Sequence, residues 1–161
     1  MHFKIKYRTK AIVRWSIVLI WMILIFLLSN ESADGSQGRS DTLVAILQAI
    51  GLDGSSELLS TIVRKSAHAM AYAVLGALIM WALAAHRRIT WRVAVIGITI
   101  ACIYAVSDEI HQTFIPGRSG EVRDVLIDTV GAAIGVGLVF WGVTRRQSRF
   151  TTASKSDTIT Q

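Results

Sequence analysis

Four apolar runs separated by polar segments dominate the chain. Ala11–Ser29 reads AIVRWSIVLIWMILIFLLS, Ala67–Ala85 reads AHAMAYAVLGALIMWALAA, Trp91–Val106 reads WRVAVIGITIACIYAV and Val125–Val143 reads VLIDTVGAAIGVGLVFWGV. Crossing a hydrocarbon core of about 30 Å takes roughly 20 helical residues, with about 17–25 the usual range. The first, second and fourth runs meet that requirement. The third meets it only if its helix continues into Ser107–Gln112. Runs this long and this numerous exceed what the interior of a soluble domain of 161 residues can hold. The pattern predicts an all-α polytopic membrane protein with four transmembrane helices.

The segments between the runs predict the rest. Asn30–Ser40, NESADGSQGRS, is small and polar and reads as a surface loop. Asp41–Ile50, DTLVAILQAI, has apolar residues at 43, 44, 46, 47 and 50. That spacing predicts an extra amphipathic helix in the first outer loop, capped by Asp41 and lying on the membrane surface. Gly51–Ser56 is a turn, and Glu57–Val63 leads into the second span as one longer helix. The predicted organisation is a basic N-terminus at 1–10, a membrane domain at 11–144 and a basic, disordered tail at 145–161.

Composition supports a membrane protein, with 52% hydrophobic and only 17% charged residues, against about 25% charged in soluble domains. The net charge of +6 invites a nucleic-acid partner, but its placement excludes one. Lys4, Lys6, Arg8, Lys10 and Arg14 lie at the first span, Arg87, Arg88 and Arg92 between the second and third, and Arg145, Arg146, Arg149 and Lys155 after the fourth. In the other two loops, acidic residues match or outnumber the basic ones. This alternation is the positive-inside pattern. It predicts a membrane protein with both termini cytoplasmic, and loops 30–66 and 107–124 outside. Membrane lipids are the expected partners, anionic inner-leaflet lipid among them. A cleaved signal peptide is a minor alternative for the first run, which is long for that role and lacks a clear cleavage site. The single cysteine, Cys102, cannot form an internal disulfide.

The polar residues within the spans carry the candidate chemistry. Lys65, His68, Tyr72 and Gly76 form one helical stripe. Gly97, Ala101, Tyr104 and Asp108 form a second, with Glu109, His111 and Gln112 beside its end. Asp124, Asp128, Gly131 and Gly135 form a third, in which the small residues that let helices approach share a face with carboxylates. Ionisable groups at such depths are rare and usually paired and functional. The topology brings these ends to one side, so the segment Ser107–Asp124 is expected to wall an outer-face pocket. Pro116–Gly117 marks a turn, after which Ser119 or Gly120 could cap the fourth span, with Arg118 and Arg123 making an anion site. The alternative is that these arginines only neutralise Glu109, Glu121 and Asp124.

No cofactor is predicted, because no HExxH, clustered Cys/His spacing, phosphate-binding glycine loop or GxSxG elbow is present. A divalent metal held among His68, Asp108, His111, Asp124 and Asp128 stays open beside plain His–Asp hydrogen bonding.

RKSAHAMAYAVLGAL together with SDEIHQTFIPGRSGEVRDVLIDTVGAAIG resembles the VanZ-like family of bacterial integral membrane proteins. The matching positions are Lys65, His68, Tyr72, Leu75 and Gly76, then Asp108, Glu109, Gln112, Phe114, Arg118 and Asp124, then Asp128, Gly131 and Gly135. Where this chain has Asp128, the family pattern often has asparagine. FLLSNESADGS is similar to the family's serine-rich passage after the first span. The resemblance covers roughly residues 15–143. It implies the four-helix fold and a link to the cell envelope and to tolerance of the glycopeptide antibiotic teicoplanin.

Three functions follow as expectations. In the first, His68 is a general acid or base oriented by Asp108 or Asp124, with Arg118, Arg123 and Lys65 holding an anionic or lipid-linked envelope substrate. Tyr72, Glu109, His111, Gln112 and Asp128 complete that pocket. In the second, the same pocket binds an envelope lipid or alters antibiotic access without catalysis. The third, proton or ion transport, fits least, because the cytoplasmic halves of the spans offer no polar path. Oligomeric state is not readable from the sequence.

Overall fold

The computed structural model describes residues 2–30, 33–51, 54–85 and 88–159. Five helices follow in order: α1 (His2–Ser29), α2 (Ala33–Ala49), α3 (Ser56–Leu83), α4 (Trp91–Gln112) and α5 (Val122–Ile159), with no strand among the described residues. Among the described residues, four segments are long and apolar enough to cross a membrane: Thr9–Ser29, Ser56–Leu83, Trp91–Gln112 and Val122–Arg145. The third of these holds 22 residues, about 33 Å at 1.5 Å per residue. Its helix does continue through Ser107–Gln112, and that continuation gives it spanning length.

Local chemistry sets several boundaries. The Ser55 hydroxyl caps α3 by accepting from the Leu58 amide at 3.4 Å, and Thr90 caps α4 in the same way from Val93. Gly117, at φ 76°, reverses the chain after α4 in the Pro116–Gly117 turn, where a side chain would be strained.

Helix α3 is the centre of the bundle and packs most closely on α5. A Cβ at Gly76 would collide with the Ala132 carbonyl, one at Gly131 with the Ala69 carbonyl, and one at Gly135 with the Ala73 carbonyl. The two helices therefore meet backbone to backbone, as small residues allow in membranes. Around this seam Tyr72, Leu75, Ile79, Ala101, Ala105 and Ala132 are wholly buried, with Val18 and Ile25 of α1 closing the cluster. Polar ties cross between helices: Trp21 Nε1 donates to the Ala71 carbonyl at 2.9 Å, and the Tyr104 hydroxyl to the Met22 carbonyl at 2.6 Å. The outside is apolar, with Ile20, Leu27, Ile103, Leu126 and Leu138 exposed, as a lipid-facing surface requires. Gly97 of α4 is looser, since a Cβ there meets Val136 Cγ2 at an ordinary 3.5 Å. Gly97→Ala is expected to be tolerated or to stabilise by up to ~1 kcal/mol through helix propensity; a lowered unfolding midpoint would contradict that packing.

Several expectations need correction. The stretch 33–40, read as loop, is the first part of α2, so Asp41 lies inside the helix and does not cap it. Helices of marginal propensity form when packing holds them, and here Ser40 and Val44 are buried while Gln48 Nε2 reaches the Gly54 carbonyl at 3.3 Å. The apolar residues of α2 form no clean stripe: Val44 is buried, whereas Leu43 and Ile46 are exposed, as is Ile50 just past its end. Helix α5 runs on to Ile159 through the tail expected to be disordered. Beyond Gly142 that stretch contains neither glycine nor proline to stop it. Neither Ser119 nor Gly120 caps α5, which starts at Val122. Glu31 and Ser32 of the expected loop, Leu52 and Asp53 of the expected turn, and Arg87 of the basic loop lie outside the described residues.

Candidate functional site

The close α3–α5 seam decides which polar groups face each other. Lys65 and His68 sit one turn apart on α3, and Asp124 and Asp128 one turn apart on α5. Lys65 Nζ contacts Asp124 Oδ1 directly and lies 3.4 Å from Glu121 Oε2. One turn deeper, His68 Nδ1 lies 3.8 Å from Asp128 Oδ2, an ion-pair distance longer than a hydrogen bond. The carboxylate across from His68 on α5 is thus Asp128, while Asp124, one of the two carboxylates expected to orient His68, engages Lys65.

The last turns of α4 supply the second wall. Asp108, Glu109 and Gln112 are buried, at 2%, 5% and 7% exposure, so the polar end of α4 is packed inside the bundle. Asp108 Oδ2 collects three donors: Ser29 Oγ at 2.9 Å, the Tyr72 hydroxyl at 3.4 Å and Gln112 Nε2 at 3.5 Å. Those donors come from α1, α3 and α4, so one carboxylate oxygen joins three helices. Glu109 Oε2 accepts from the Glu121 amide at 2.9 Å. This carboxylate satisfies an amide just before the first turn of α5, a favourable place for negative charge. Arg118 Nη1 donates to Gln112 Oε1 at 3.3 Å.

These groups border a cavity of about 350 Å³, with Arg64, Lys65, Arg118 and Arg123 as its cations and Glu109, Glu121, Asp124 and Asp128 as its anions. A second cavity of about 270 Å³ runs among α1, α2 and α3, lined mainly by apolar residues such as Ile25, Leu28, Leu43, Val63 and Ala71. Arg64, His68 and Arg118 line both. The two spaces share a wall of one histidine and two guanidinium groups.

At the floor, His68, Asp108 and Asp128 each place a donor atom within 4.8 Å of the others. Among the described residues, neither oxygen of Asp128 has a hydrogen-bond partner, nor has Asp108 Oδ1. This trio can share a proton or hold a cation.

Of the residues predicted for the pocket, Lys65, His68, Glu109, Gln112, Arg118, Arg123, Asp124 and Asp128 line the larger cavity. Tyr72 and Asp108 are buried beneath it. His111 is not brought to it: its ring stacks on Phe26 of α1, with centroids 4.4 Å apart, and its Nε2 has no partner. Arg64 and Ser29 went unrecognised as site residues. Arg64 lies four residues before His68, which was a readable signal of a shared face. Ser29 stands at the end of an apolar run and within FLLSNESADGS, but nothing in that passage pointed to Asp108 as its partner.

No curated protein and no solved structure matches the chain. The family model described as VanZ/LLP1 matches residues 14–143, which takes in most of the first span, the whole of the second and third, and the fourth up to its last turn. A match over most of the 161 residues, carried by the same helices that build the cavity, shows that this chain belongs to the VanZ/LLP1 family.

Proposed function

We propose that this membrane protein binds an anionic, lipid-linked molecule of the cell envelope, with its charged headgroup in the larger cavity and its hydrocarbon chain in the apolar one. The observation that carries this reading is the shared wall of Arg64, His68 and Arg118, which joins a cation-bearing space to an apolar space. An amphiphile has that division of chemistry. Guanidinium groups suit phosphate and carboxylate through paired donors. The charge alternation along the chain supports a bacterial cytoplasmic-membrane setting with both termini inside and the cavity opening outward. Teicoplanin tolerance fits here as an effect on the envelope molecules that such antibiotics meet.

A catalytic form of the same reading is favoured by His68 lying between two buried carboxylates. Asp128, 3.8 Å away, could stabilise an imidazolium as His68 takes and returns a proton. Transport finds less support. Among the described residues, the buried polar side chains Ser29, Ser40, Ser60, Asp108, Glu109, Gln112 and Asp128 all lie at one end of the bundle.

The test extracts wild type, Arg64→Ala and His68→Ala in polymer-bounded native discs and compares co-purifying lipids with the bulk membrane. Wild type is expected to enrich one anionic lipid class several-fold, and both variants to lose that enrichment while staying folded. A wild-type lipid profile equal to the bulk membrane would sink the reading.

A further inference from the structure

We propose that His68, Asp108 and Asp128 form a divalent-cation site at the floor of the larger cavity, suited to a first-row transition ion such as Zn²⁺ or Mn²⁺. The donor atoms lie within 4.8 Å of one another. Ligands around a tetrahedral ion at about 2.1 Å stand roughly 3.4 Å apart, so side-chain rotations of about 1 Å would close the set. One imidazole and two carboxylates are the donor types used by Zn²⁺ and Mn²⁺.

The independent observation is what these carboxylates lack. Asp128 is 1% exposed and lines the cavity, and among the described residues neither oxygen has a hydrogen bond; its nearest charged neighbour is His68 Nδ1, at 3.8 Å. Buried polar groups are nearly always satisfied, and one left over asks for a missing partner. Asp108 sharpens the point. Its three donors, from Ser29, Tyr72 and Gln112, all converge on Oδ2, and Oδ1 is left with none. A carboxylate held through one oxygen while the other is bare is how outer hydrogen bonds orient a metal ligand.

Charge points the same way. Two carboxylates at this depth need positive compensation. The nearby Lys65 is engaged by Asp124 and Glu121, and an Arg118 nitrogen is directed to Gln112. A divalent cation held between them would balance both carboxylates and leave the imidazole neutral and free to ligate. Three protein ligands leave coordination positions for water or for an anionic oxygen. The inference stands apart from lipid binding, since the ion is measured without any anionic lipid present.

The experiment uses the full chain carrying a histidine-free tag, stripped with chelator and placed in phosphatidylcholine discs. Zn²⁺ and Mn²⁺ are titrated by calorimetry, with the Mn²⁺ spin-resonance signal as a second reading. Wild type is expected to take one ion per chain, with a raised unfolding midpoint. Asp128→Asn and His68→Gln should weaken binding at least about tenfold, and Ser29→Ala, through its hold on Asp108, should weaken it about tenfold. Folding of each variant is checked by its melt. Absence of binding by folded wild type overturns the proposal. So does binding that survives both Asp128→Asn and His68→Gln, which would place the ion elsewhere.

Discussion

Gly135→Leu is expected to leave no recoverable folded protein, while Gly137→Leu, two residues along the same helix, is expected to behave as wild type. Overpacking a core that can give way costs roughly 1–3 kcal/mol. At Gly135 the obstacle is the Ala73 carbonyl and the Ala77 amide nitrogen of α3, which are backbone atoms of a packed helix. Nothing lies within 4 Å of a Cβ at Gly137. The obstacle cannot rotate away, so α3 and α5 must separate, and the seam that places His68 across from Asp128 goes with them. Detergent extraction, gel filtration and a thermal melt of both variants check this. Equal yields and midpoints for the two leucine variants would mean that α3 and α5 do not meet at this face.

The second large effect is expected at Asp108. Asp108→Leu removes the common acceptor of Ser29, Tyr72 and Gln112 and should destabilise the bundle by several kcal/mol. Interhelical hydrogen bonds in membranes average only about 0.6 kcal/mol, so loss of one bond would not suffice. Here three donors lose one acceptor together, and Ser29 and Tyr72 are both 0% exposed, out of reach of water. Each stranded buried donor costs roughly 1–3 kcal/mol. Asp108→Asn keeps an acceptor oxygen and should cost less. In the Ser29→Ala/Tyr72→Phe background the cost of Asp108→Leu should shrink, because fewer donors remain to strand. Unfolding midpoints measured with chelator present keep any bound ion out of the comparison. An undiminished cost in that background would show that the network does not hold the helices as described.

Much of the bundle could be read from residue patterns, because a membrane leaves few choices. Length and apolarity alone marked the spans, and the shortest run became long enough once Asp108, Glu109 and Gln112 were admitted to its helix. Those residues are polar by type, and their partners make them tolerable inside: Ser29 and Tyr72 for Asp108, the Glu121 amide for Glu109 and Arg118 for Gln112. The misread segments failed for a related reason. Residues 33–40 have the glycine and serine content of a loop, yet they lie in a helix packed through Ser40 and Val44, a contact that no local pattern announces. At the site, the stripes on α3, α4 and α5 marked faces that the fold brings together. They did not mark which turn meets which. A shift of one turn exchanges Asp124 for Asp128 opposite His68, and that register depends on how deeply Gly131 and Gly135 seat against Ala69 and Ala73. His111 shows the limit from the other side. It lies three residues beyond Asp108 on the same helix, but aromatic contact with Phe26 draws it to α1.

The most direct measurement of the central claim, a cation-lined cavity opening on the outer face, is single-cysteine labelling at its rim. In a Cys102→Ser background, a cysteine placed at Ser119, which lines the cavity and is exposed, is treated with a membrane-impermeant maleimide. Right-side-out and inverted vesicles are labelled in parallel, and a cysteine at Gly142, at the opposite end of the bundle, serves as the reference. The account predicts labelling at 119 in right-side-out vesicles and slower labelling when an enriched anionic lipid is supplied. Labelling at 119 only in inverted vesicles would contradict it.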